Sequence, residues 1–130
     1  MIENFNSIND WAYNSLKGSF KENGFSDFCL AYVSSVLEEY TRKKIDHSIV
    51  LFYSQTVENP SFEKYQNLGD TCFIQEIISK ENSHVRKFIA EKSYDKCYKY
   101  SLNKLDIYRE LSFNFENITL ITKKKLYNLI

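Results

Sequence analysis

Punctuation is what this chain lacks. Its 130 residues contain one proline and three glycines. A β protein of many strands needs glycine and proline at its frequent turns. Their scarcity predicts long helices instead. Hydrophobic residues make up 43% and charged residues 26% of the chain, a balance that supports a packed core and argues against disorder. At this length a single domain over residues 1–130 is expected.

Residues 62–79 are the natural centre. Phe62, Tyr65, Leu68, Cys72, Phe73 and Ile77 recur at helical spacing and form one broad stripe. Gly69 interrupts it. Glycine inside a helix costs roughly 1 kcal/mol against alanine, so its presence predicts close approach by another helix.

Around this centre the remaining elements follow in order. Ser7 or Asn9 can cap a first helix reaching Phe20, and Gly24 suits its stop. Ser26 caps a second helix with Phe25, Phe28, Cys29, Tyr32, Val33, Val36, Leu37 and Tyr40 on one face. Glu38, Glu39, Arg42, Lys43 and Lys44 form its polar end. Asp46 or His47 starts a third helix through Val57, although residues 49–53 also read as a buried strand without a mate. Pro60 breaks the chain, and Ser61 caps the central helix. Residues 84–102 form another helix, with Val85, Phe88, Ile89, Tyr94, Cys97, Tyr98 and Leu102 apolar. Residues 105–130 are two helices or one bent near 114–117. The expected fold is all-α, a single-domain bundle of about six helices.

Zero net charge argues against general nucleic-acid binding. Lys92, Lys96 and Lys99 interleave with Tyr94, Tyr98 and Tyr100, a combination that can hold single strands but equally marks an amphipathic helix. The short run Lys123, Lys124, Lys125 reads as a solvated face. Cys29, Cys72 and Cys97 have neither disulfide nor zinc spacing, and His47 and His84 lack ligand-spaced neighbours, so no metal or cofactor is expected. No phosphate loop, nucleophile elbow or paired-carboxylate motif occurs, which disfavours an enzyme. No run approaches the roughly 20 apolar residues of a membrane span, and no signal peptide is evident. A soluble cytoplasmic protein is expected.

Asp70 is the polar residue of most interest, because it follows Gly69 beside the apolar stripe. Charged residues there usually face water, so a solvated or edge-bonded Asp70 is expected. If buried, it must have a partner. Gly69, Asp70 and Cys72 are the candidate ligand- or partner-binding residues. Ten tyrosines and ten phenylalanines suit an interface. The expected function is a non-enzymatic interaction or regulatory bundle with a protein partner or self-association. The alternatives are a small-molecule pocket or minor enzyme near Gly69 and Asp70, and nucleic-acid binding through the lysine faces.

The run Leu68-Gly69-Asp70-Thr71-Cys72-Phe73 resembles the centre of a group of uncharacterised bacterial all-helical proteins. Residues 30–37, the tyrosine-rich residues 94–102, and Glu110 and Leu111 with Phe115 are similar to their other helices. The chain departs from the group at residues 75–78, where a glycine and phenylalanines would stand. The resemblance implies an all-α fold and carries no activity.

Overall fold

A computed structural model describes residues 8–41 and 48–128. They form seven helices and, among the described residues, no strand: α1 (Ile8–Glu22), α2 (Asp27–Thr41), α3 (Ile49–Glu58), α4 (Phe62–Ile78), α5 (His84–Tyr100), α6 (Asp106–Phe113) and α7 (Phe115–Asn128). The extra helix comes from the C-terminal stretch, which is two helices. Asn114 N–H donates to the Glu110 carbonyl to end α6, and the Asn114 carbonyl accepts from Ile118 N–H at 2.9 Å to begin α7. The strand reading of residues 49–53 gives way to α3. The starts suggested at Ser7, Asp46 and His47, and the basic residues Arg42, Lys43 and Lys44, lie outside the described residues.

Four serines open four helices. The hydroxyls of Ser26, Ser48, Ser61 and Ser83 accept from the N–H groups of Cys29, Leu51, Lys64 and Arg86. Each satisfies a donor that has no partner within its helix.

Two helices share one ending. At the end of α1, Gly24 N–H donates to Lys21 and Phe25 N–H to Phe20, with Gly24 at φ +77°. This is a Schellman motif, and the Phe25 ring supplies its usual apolar contact by meeting Phe20 edge-on at 5.5 Å. After α5 the same bonds run from Leu102 to Lys99 and from Asn103 to Tyr98. Here the glycine position holds Leu102, at φ +59°. A left-handed leucine costs roughly 1–2 kcal/mol.

Helix α4 runs through the core, packs on α2, α3, α5 and α7, and meets Tyr108 of α6 through Phe62. Residues 68–74 are all buried, so the helix is enclosed around its whole circumference there. The peripheral helices bury narrower arcs than their apolar stripes suggest. Phe28, Val85, Phe88 and Leu102, expected on apolar faces, are exposed. Periodicity marks the stripe but cannot say how much of it a neighbour covers.

Gly69 meets the close approach expected of it. A Cβ there would lie 2.8 Å from Cε1 of the fully buried Tyr94 ring on α5. Gly69→Ala therefore overpacks the α4–α5 contact and should cost about 1–3 kcal/mol in a denaturant titration. An unchanged or higher midpoint would contradict this packing.

Candidate functional site

Asp70 is not in water. It is 5% exposed in the middle of α4. Its Oδ1 accepts from the Tyr32 hydroxyl of α2 at 2.7 Å and from the Tyr94 hydroxyl of α5 at 2.8 Å. The expectation of a solvated carboxylate fails because two donors from distant helices replace its hydration. Tyr108 of α6 completes the cluster. Its ring stacks on Tyr94 at 6.3 Å and meets Tyr32 edge-on at 5.6 Å, while its hydroxyl accepts from Gln66 Nε2 at 2.7 Å. Phe62 packs edge-on against the same Tyr108 ring. Phe62, Gln66, Gly69 and Asp70 follow i, i+4, i+7, i+8 spacing, so one face of α4 receives tyrosines from three other helices.

Burial holds the Tyr32 and Tyr94 hydroxyls well above their ordinary range, and the Asp70 charge adds to the rise. Tyr108 is raised as well, chiefly by burial. All three therefore stay neutral, and Tyr32 and Tyr94 remain donors to the carboxylate.

Of the three residues singled out in the sequence, Gly69 and Asp70 belong to this cluster. Cys72 lies in the core beside it, fully buried. Burial pushes the Cys72 thiol up to about 12, with Arg86 opposing and Glu76 adding to the rise. Cys97 is likewise pushed up to about 12, by burial and then by Asp70, and its thiol points to the Phe62 carbonyl. Cys29 is raised by burial and Glu110. All three cysteines are free. None is the thiolate that nucleophilic chemistry requires, and His84 is exposed whereas the thiols are buried. Among the described residues no group of three His, Cys, Asp or Glu side chains converges as a metal site.

Tyr32 links the cluster to the surface. Its half-buried side chain lines a groove of about 660 Å³ between α2 and α6. Phe28, Ala31, Leu105 and Ile107 supply apolar walls, with Lys104, Asp106 and Glu110 among the polar groups. The groove is held in shape from one end. Glu110 accepts from Ser26 N–H at 2.8 Å and from the Ser26 hydroxyl at 2.5 Å. A carboxylate at the start of α2 also suits the helix dipole.

Some lysines of α5 are engaged locally. Lys99 pairs with Asp95 at 3.0 Å, Lys87 with Glu116 at 2.7 Å, and Lys92 lies over the Phe88 ring. Sequence reasoning missed the partners of Asp70, namely Tyr32 and Tyr94, and the supporting Tyr108 and Gln66. The available signal was three tyrosines on inward faces, each needing a hydroxyl partner, and one acid beside the central stripe.

No protein-family model, curated protein or solved structure matches the chain. Among the described residues no helix is long and apolar enough to cross a membrane.

The raised thiols and hydroxyls set a pH dependence. Because their folded values exceed their unfolded ones, the stability they contribute is complete at neutral pH. It is lost as pH climbs past the ordinary thiol value of about 8.5 and then the tyrosine value of about 10. Native protein at about pH 8 should resist thiol reagents, all three thiols should react after denaturation, and the denaturant midpoint should fall steadily above about pH 9. Rapid labelling of a native thiol, or a flat midpoint into the alkaline range, would contradict this.

Proposed function

We propose that the chain is a non-enzymatic, cytoplasmic interaction protein that seats an apolar helix face of a protein partner in the groove between α2 and α6. The observation that carries this reading is Phe28, which stands 80% exposed on the wall of the groove. Aromatic side chains beside a concave apolar surface are the usual anchors of interfaces. Apolar walls with charges of both signs at the edge match an amphipathic helix. Leu102 adds to the argument. It sits three residues before the groove residue Leu105, in a conformation that favours glycine, and its side chain is 77% exposed. Nothing in the fold uses that leucine, whereas a partner would.

Binding is favoured over catalysis because the groups capable of chemistry are engaged: Asp70 by tyrosines that stay neutral, and the cysteines by burial. A small-molecule reading has one observation in its favour. The groove volume falls within the roughly 300–1,000 Å³ of small-ligand sites, and its wall includes Tyr32, which contacts Asp70. Nucleic-acid binding ranks lower, since the chain carries no net positive charge and two of the lysines it would use, Lys92 and Lys99, are engaged by Phe88 and Asp95.

Immobilised wild type, Phe28→Asp and Phe113→Asp should be compared on extract of the source cells. Phe113 is exposed but lines no part of the groove. A stoichiometric protein held by wild type and Phe113→Asp and lost from Phe28→Asp is expected, or a wild-type dimer that Phe28→Asp dissociates. Leu102→Gly should raise the thermal midpoint while weakening capture. Identical capture by all three baits with no dimer would contradict the proposal, and a small molecule released on denaturation would favour the second reading.

A further inference from the structure

We propose that the occupant of the α2–α6 groove is helix α2 of a second copy of this chain, in a two-fold dimer. The inference rests on the groove reading above and names its partner. An isologous contact requires one surface to carry both a projecting group and the recess that receives it. Here the two share a wall. Phe28, Ala31 and Ser35 all line the groove and all are exposed. Their i, i+3, i+7 spacing places them on one face of α2. The bulky ring stands at one end of that face and a small side chain at the other.

Phe28 and Ser35 lie three and four residues to either side of Ala31. Two α2 helices crossing antiparallel at Ala31 therefore set Phe28 of each copy opposite Ser35 of the other. The Ala31 methyl lets the helices approach closely. Each phenyl ring then enters a groove whose α6 side carries Leu105 and Ile107. The exposed face of α2 is thus itself an apolar helix face of the kind the groove suits.

The charges agree with this pairing. Lys104 and Asp106 line the same groove, and Asp27 precedes Phe28 in the first turn of α2. None of the three has an ion-pair partner among the described residues. A two-fold contact lets Lys104 of each copy reach the acids of the other, and symmetry repeats the pair. The zero net charge of the chain removes the long-range repulsion that would hold two copies apart.

The test is sedimentation equilibrium of the full chain, with Phe28→Ala and Ser35→Phe. Both positions are exposed, so neither change disturbs the core. The wild type should form a reversible dimer. Each variant alone should dissociate at least about tenfold more readily, because one loses both rings and the other opposes ring to ring. An equimolar mixture of the two should associate more tightly than either alone, since the ring placed at 35 faces the alanine placed at 28. Phe113→Ala, outside the groove, should dimerise as the wild type does. A chain that stays monomeric up to roughly 100 μM would overturn the proposal. If that monomer still captured a foreign protein that Phe28→Asp loses, the groove reading would stand without it. A dimer indifferent to Phe28→Ala, or a mixture no tighter than its components, would also overturn it.

Discussion

A carboxylate taken out of water holds its charge only if other donors replace the water it lost. Asp70 recruits them from helices that precede and follow α4, and both hydroxyls converge on one oxygen. Hydrogen bonds to a charged acceptor are worth about 1.5–3 kcal/mol each, and a satisfied network in a low-dielectric interior is stronger than its separate parts. The geometry of three helices follows from that one acceptor. Tyr94 can reach Asp70 only because Gly69 has no side chain in its path. Tyr108 then has a ring to stack on, which brings α6 alongside, and Glu110 ties α6 to the first turn of α2.

Polar devices also secure the far end of α4. Arg86 joins Glu76 to the start of α5, and the Tyr127 hydroxyl donates to the carbonyls of Ile77 and Ile78, where α4 ends. The central helix is thus held by directional bonds along its length while its apolar surface packs on the helices around it. The α2–α6 groove has Tyr32 in its wall, so an occupant would rest against a ring whose hydroxyl is fixed on Asp70.

Features governed by local chemistry were legible in the sequence. Ser26 and Ser61 act through atoms three residues away, Gly24 through its own backbone, and Gly69 had few reasons to sit inside a helix. Asp70 was misjudged because its donors lie 38 and 24 residues away, and no local pattern reports such a meeting. Phe28 and Phe88 looked internal because periodicity describes a helix face and not the neighbour that covers it. The left-handed Leu102 was hidden for a related reason. The position carries none of the glycine that normally marks such an ending, and the structure alone reveals the bonds that hold it. The groove depends on how α2 and α6 are juxtaposed, and that in turn depends on the Asp70 cluster.

The most direct test of this account is a double-mutant cycle of Tyr32→Phe and Tyr94→Phe, read by denaturant unfolding. Each change removes one hydroxyl and preserves the ring. The account predicts a loss of about 1–3 kcal/mol for each single variant. It also predicts a double variant that departs from the sum by at least about 0.5 kcal/mol, because the two hydroxyls serve one oxygen. Single variants as stable as the wild type, or strict additivity, would show that Asp70 does not organise the bundle.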